Sequence, residues 1–75
     1  MEELIEILTD LHPDVDFATK EGLIDERILD SRDIVSLISE IDDHFDVAIP
    51  VEEIVPENFN SAEAIYALIS RLEDE

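Results

Sequence analysis

Ser31, His12 and His44 are the side chains in this sequence that do chemistry when suitably paired. A Ser-His-Asp triad needs hydroxyl and imidazole within hydrogen-bond reach. Ser31 and His44 fall 13 positions apart inside what the apolar spacing marks as one helix, which separates them by about 20 Å along its axis. No glycine-flanked nucleophile turn surrounds Ser31, and both histidines read as surface residues. His12 reaches Ser31 only if the intervening segment folds back. Taken as a twelve-residue calcium loop, Asp42 to Glu53 places acids at the first, fifth and twelfth positions. It has His44 at the third, however, and Val47 where the turn needs Gly. The sequence therefore predicts no catalytic residue and no specific metal site. What remains is a serine for another enzyme to modify. Such a residue needs exposure and a docking surface, and at a helix N-terminus the backbone N–H groups and dipole favour an attached phosphate.

The elements that would position Ser31 are marked by apolar periodicity. Leu4, Ile5, Leu8 and Leu11 form one stripe, ended by His12-Pro13 because the residue before a proline disfavours the helical region. Ile34, Leu37, Ile38, Ile41 and Phe45 form a second, and Ala62, Ile65, Leu68, Ile69 and Leu72 a third. Asp30 caps the middle helix in this reading, with Ser31 first and Asp33 third in its opening turn. Asn60 caps the last helix, with Glu63 three residues on to complete a capping box. Between Pro50 and Pro56 there is room for one short helical turn. The eighteen residues from His12 to Leu29 have no period but carry Val15, Phe17, Leu23, Ile24, Ile28 and Leu29. That segment should pack across the helices, with Gly22 permitting a bend. The expected fold is all-α: a four-helix bundle of three main helices and one short one, with a long loop between the first and second.

Composition narrows the function. In 75 residues, 22 acidic side chains face 4 basic ones, a formal charge of -18, while 27 residues are Leu, Ile, Val or Phe. Apolar content that high supports a core despite the charge. Residues 1–75 read as one small domain. Lys20, Arg27, Arg32 and Arg71 form no basic stripe, which excludes nucleic-acid binding and adhesion to an anionic membrane. No apolar stretch approaches membrane-spanning length. Basic patches on partner proteins are what such a surface attracts. The absence of cysteine removes disulfides and thiolate chemistry. The opening Met1-Glu2-Glu3 has no basic region before an apolar run, so a cytoplasmic address is expected. Nothing demands an oligomer, and a monomer is the expectation.

Three segments then carry a family resemblance. Gly22-Leu23-Ile24-Asp25 leads to Ile28-Leu29-Asp30-Ser31, Phe45-Asp46-Val47-Ala48-Ile49-Pro50 follows, and Phe59-Asn60-Ser61-Ala62-Glu63-Ala64-Ile65 comes last. In this order, within an acidic helical chain, they resemble the acyl carrier proteins and related aminoacyl and peptidyl carriers across essentially the whole sequence. The resemblance implies a four-helix bundle with a short third helix. It also implies that Ser31 accepts 4'-phosphopantetheine from coenzyme A, attached by a separate phosphopantetheinyl transferase that uses magnesium. The thiol of that arm would hold cargo as a thioester, and the protein would be a carrier, not an enzyme. Leu29-Asp30-Ser31 without a nearby Gly, and Phe59-Asn60-Ser61, look closer to D-alanyl carrier proteins, which deliver activated D-alanine for esterifying teichoic acids, than to fatty-acid synthase carriers.

By the same analogy, partner enzymes would dock on the face around Ser31: Asp30, Arg32, Asp33, Ser36, Ser39, Glu40, Asp42 and Asp43. Those partners are an acyl- or aminoacyl-activating ligase and acyltransferases bearing basic patches. Acyl cargo would enter near Leu37, Ile41, Ile54 and Tyr66. One position departs from the family pattern: the residue after the serine is usually large and apolar, and here it is Arg32. The rival reading is an acidic interaction adaptor of the same fold whose Ser31 stays bare.

Overall fold

The computed structural model describes residues 2–74. Helix α1 spans Glu2–Leu11, with Glu2 and Glu3 in its first turn where acidic groups suit the positive end of the dipole. It buries Leu4, Ile7 and Leu8. Helix α2 spans Ser31–Phe45 and buries Leu37 and Ile41, with Ile34, Ile38 and Phe45 packed at the edge of the core. It stops at Asp46, which adopts the left-handed conformation (φ 56°) and returns its N–H to the Asp42 carbonyl. Helix α3 is four residues, Pro56–Phe59, and α4 spans Ala62–Glu73. Helix α4 packs on α3 and α1, and α1 packs on α2. The all-α bundle with three long helices and a short one is what the periodicity predicts.

The connection from α1 to α2 behaves as part of the core. Phe17, Leu23 and Leu29 are buried in it. The Leu23 carbonyl accepts from Ile28 N and Leu29 N at 2.9 and 3.0 Å, closing a tight loop. Gly22 sits at φ +68°, a region that L side chains rarely adopt, and an added Cβ would meet Glu26 Oε2 at 3.1 Å. With this segment folded in, the radius of gyration is 11.1 Å, the value of about 11 Å expected for a globule of this length.

The stretch between Pro50 and Pro56 makes a single 3-10 turn at Val51–Glu53, the one short turn expected there, and a four-residue helix that the sequence reading did not place begins on Pro56. A proline is favoured at that first helical position because its missing N–H has no partner there in any case. The cap of α4 is Ser61, whose Oγ accepts from Ala64 N at 3.0 Å, and not Asn60. Asn60 turns away from α4. Its Oδ1 accepts from Ile24 N (2.9 Å) and Asp25 N (3.3 Å), its Nδ2 donates to Asp25 Oδ2 (3.1 Å), and its carbonyl accepts from Leu23 N (2.8 Å). An isolated antiparallel bridge between Glu21 and Ser61 lies beside it. Asn60 is the clasp that holds the long loop onto the base of α4.

Candidate functional site

Ser31 is the first residue of α2 and is exposed. Its freedom follows from its neighbour. Asp30 performs the capping: Asp33 N donates to Asp30 Oδ1 at 3.0 Å, and Asp30 N donates to Asp33 Oδ2 at 3.3 Å. This reciprocal box fixes the first turn of α2 without calling on the Ser31 hydroxyl, which has no hydrogen-bond partner among the described residues. A rigid turn thus presents an unengaged nucleophile-sized oxygen to solvent.

Neither histidine serves that oxygen. His44 lies at the other end of α2, with Nε2 3.3 Å from Glu40 Oε2. His12 was expected at the surface but is half-buried, and its Nε2 donates to Asp33 Oδ2 at 2.7 Å. The Asp33 carboxylate is therefore shared between the capping box and α1. Serine-hydrolase chemistry lacks its base. The calcium-loop alignment also dissolves: Val47 is buried, Asp46 ends α2, and Glu53 is gripped by Arg71 through both nitrogens at 2.8 and 2.9 Å. Hydrogen bonding to Arg71 is the main reason the Glu53 carboxyl sits below its ordinary value of 4.5. The Arg71 charge and Asn58 add to this, and partial burial opposes it.

Arg32, Ser36, Ser39, Glu40, Asp42 and Asp43 are exposed, while Asp33 is only partly so. Val35 is 68% exposed and shares a shallow depression with Ser31, Arg32 and Ser36. Sequence reasoning passed over Val35, and its position off the apolar stripe was the available signal. The residues expected to admit cargo divide into two sets. Leu37 and Ile41 are fully buried core, whereas Ile54 and Tyr66 lie at the surface, 38% and 37% exposed. A cavity of about 620 Å³ lies instead at the far end of α2, between Phe45–Pro50 and Leu72. Phe45 is 14 residues from Ser31 along the helix, about 20 Å away.

The sequence is similar to those of known proteins. The chain is 37% identical to the D-alanyl carrier protein of Streptococcus mutans over 71 residues, covering 93% of this chain and 90% of the relative. The D-alanyl carrier proteins of Streptococcus sanguinis and Streptococcus gordonii match to the same extent. The chain belongs to the carrier-protein family that includes the D-alanyl carrier proteins. No family model matches the sequence. As a member of a carrier-protein family it serves as a carrier and is not itself an enzyme. No helix among the described residues is long and apolar enough to cross a membrane.

Proposed function

We propose that residues 1–75 form a single carrier domain that receives 4'-phosphopantetheine on Ser31. The observation that carries this reading is the exposed, unbonded Ser31 hydroxyl on a helix turn whose capping is done by Asp30 and Asp33. The donor would be coenzyme A and the catalyst a separate phosphopantetheinyl transferase. In the transfer, the Ser31 oxygen would bond to the phosphorus that bears the pantetheine arm, the P–O bond of the coenzyme A diphosphate bridge would break with adenosine 3',5'-bisphosphate as the leaving group, and the hydroxyl proton would pass to a base on the transferase. Ser31 fits the group because nothing must be displaced from its oxygen, and the α2 dipole favours the phosphodiester charge. When attached, the arm supplies a thiol that holds acyl or aminoacyl cargo as a thioester.

D-alanine is the cargo this reading favours, supported by the names of the three relatives. The enzyme that charges the arm is then an aminoacyl-activating ligase, and acceptor transferases follow. These partners would dock through basic patches facing Asp30, Glu40, Asp42 and Asp43, with Arg32, Ser36 and Ser39 on the same face and Asp33 contributing mainly through its hold on the turn. A cytoplasmic monomer suits a protein that meets soluble ligases in turn.

The test is intact mass after incubation with coenzyme A, magnesium and a broad-specificity phosphopantetheinyl transferase. The expected result is a gain of one phosphopantetheine in the wild type and none in Ser31→Ala. Because the Ser31 oxygen makes no bond, Ser31→Ala should keep its stability within about 0.5 kcal/mol, which makes it a folded control. A folded wild type that stays bare overturns the reading and favours the unmodified adaptor.

A further inference from the structure

Two of the four cations are consumed by the fold: Lys20 Nζ donates to Glu26 Oε1 at 2.8 Å, and Arg71 holds Glu53. Arg27 and Arg32 have no acidic partner among the described residues, in a chain with 22 carboxylate side chains. For Arg32 the reason is visible. The nearest acids in sequence, Asp30 and Asp33, are committed to each other's backbone and to His12. Its guanidinium therefore stands as an isolated positive charge beside Ser31, on an otherwise acidic helix. Val35 lies three residues on, the spacing that puts two side chains on one helix face, and both line the depression next to the serine.

We propose that Arg32 and Val35 form a selectivity element for the proteins that act on Ser31. It fits a partner that brings a carboxylate and an apolar contact to this spot, and it penalises a partner whose surface there is cationic. The proposal rests on the reading of Ser31 as the attachment site. The net charge of -18 still draws basic surfaces from a distance. Arg32 acts only at contact, where like charges facing each other across an interface are costly. Long-range attraction and short-range discrimination are in this way separated on one helix face. Guanidinium geometry sharpens the choice, because its planar fork matches a carboxylate with two parallel hydrogen bonds.

The experiment measures loading kinetics with a broad-specificity phosphopantetheinyl transferase whose carrier-binding surface is basic. Wild type, Arg32→Leu, Arg32→Gln and Arg27→Asn are compared, each checked for folding by circular dichroism. Arg27 has φ 59°, a conformation that Asn tolerates, so Arg27→Asn removes one charge without new strain. Arg32→Leu and Arg32→Gln should each raise kcat/KM by about tenfold, mainly through KM, while Arg27→Asn stays within about twofold of wild type. In a second arm, basic residues on the carrier-binding face of the transferase are changed to Glu one at a time. At least one such transferase should load wild type faster than its parent does, and Arg32→Leu should cancel that gain. Equal loading of wild type and both Arg32 variants overturns the proposal while leaving the carrier reading intact, as does a Glu series with no gain. Loading of none of the proteins overturns the carrier reading itself and this proposal with it.

Discussion

His12 Nε2 lies 2.7 Å from Asp33 Oδ2, a bond across 21 residues that ties the end of α1 to the first turn of α2. The same Asp33 oxygen accepts from Asp30 N at 3.3 Å. One carboxylate thus joins two helices and closes the cap that holds Ser31 in place. The side chains are partly shielded, 33% exposed for His12 and 20% for Asp33, so the bond competes less with water than a surface pair would.

Removing Asp33 should therefore cost more than removing an ordinary helix cap. Asp33→Ala is expected to destabilise by about 2 kcal/mol and His12→Ala by about 1 kcal/mol, since Asp33 loses both the box and the tether. The double variant should show a coupling energy of about 1 kcal/mol. Urea denaturation of the four proteins measures all three quantities. Additive losses would show that His12 and Asp33 act independently.

Asn60 supplies the second comparison. Its side chain satisfies the Ile24 and Asp25 N–H groups, while Ser61 caps α4. Asn60→Ala should cost about 2–3 kcal/mol because it leaves loop donors without their acceptor, and Ser61→Ala about 1 kcal/mol as for a lost cap. Were Asn60 the cap, Ser61→Ala would be near neutral. Hydrogen exchange should further separate the two: Asn60→Ala exposes the Ile24 and Asp25 amides, and Ser61→Ala does not.

Asn60 and Ser61 also mark how far the sequence could be read. Both are good capping residues, and Asn60 is the one with a Glu three positions on, so the local code ranks it first although Ser61 is the cap. The choice is made by the loop, whose donors at Ile24 and Asp25 claim Asn60 from 36 and 35 residues away. The His12–Asp33 bond was unreadable for the same reason, since nothing local points His12 at Asp33. What was legible depended on local rules. The α2 and α4 stripes, the Asp30 cap and the buried anchors Phe17, Leu23 and Leu29 each follow from spacing or residue type alone. The position of α3 was legible too, because Pro56 is a favoured first helical residue, but the apolar turn before it was weighted more heavily. The exposure of Ser31 at the opening of α2 was readable from its place after a cap and before an amphipathic helix. The exposure of Val35 and the burial of Leu37 and Ile41 depend on how α2 lies against α1, which periodicity only approximates.

The Glu53–Arg71 pair gives a pH-dependent prediction. Glu53 titrates below its ordinary value of 4.5 in the folded protein, first because Arg71 hydrogen-bonds its carboxylate. A depressed carboxyl contributes stability that is present above its unfolded value and is lost as pH falls through the folded one. Glu53→Gln, which keeps the shape but not the charge, should lower Tm relative to wild type at pH 7, and the difference should narrow as pH falls below the ordinary value of 4.5. Thermal melts at low protein concentration, to avoid precipitation near the pI of about 4.1, provide the comparison. A Tm gap that stays constant with pH would mean that Glu53 acts through packing and not through its charge.

The charge of the whole molecule makes an opposite demand on salt. A formal charge of -18 is confined to a body 32 Å in its longest extent. At about 0.01 M salt the screening length is about 30 Å, so nearly every carboxylate feels every other, whereas at about 0.15 M it falls to about 8 Å. Unfolding spreads those charges apart, which makes their repulsion larger in the folded state than in the unfolded one. Salt also weakens the few attractive pairs, but Lys20–Glu26 and Glu53–Arg71 are short contacts at 2.8 Å that screening reaches less than it reaches the repulsion across the surface. The repulsive sum should win. Tm is expected to rise by about 5–10 °C between these two salt concentrations, the shift that about 1–2 kcal/mol produces in a domain of this size. Sodium chloride should suffice, with no requirement for a divalent ion, because the gain comes from screening and not from a bound cation. A Tm that is flat or falls with added salt would show that the attractive pairs outweigh the repulsion.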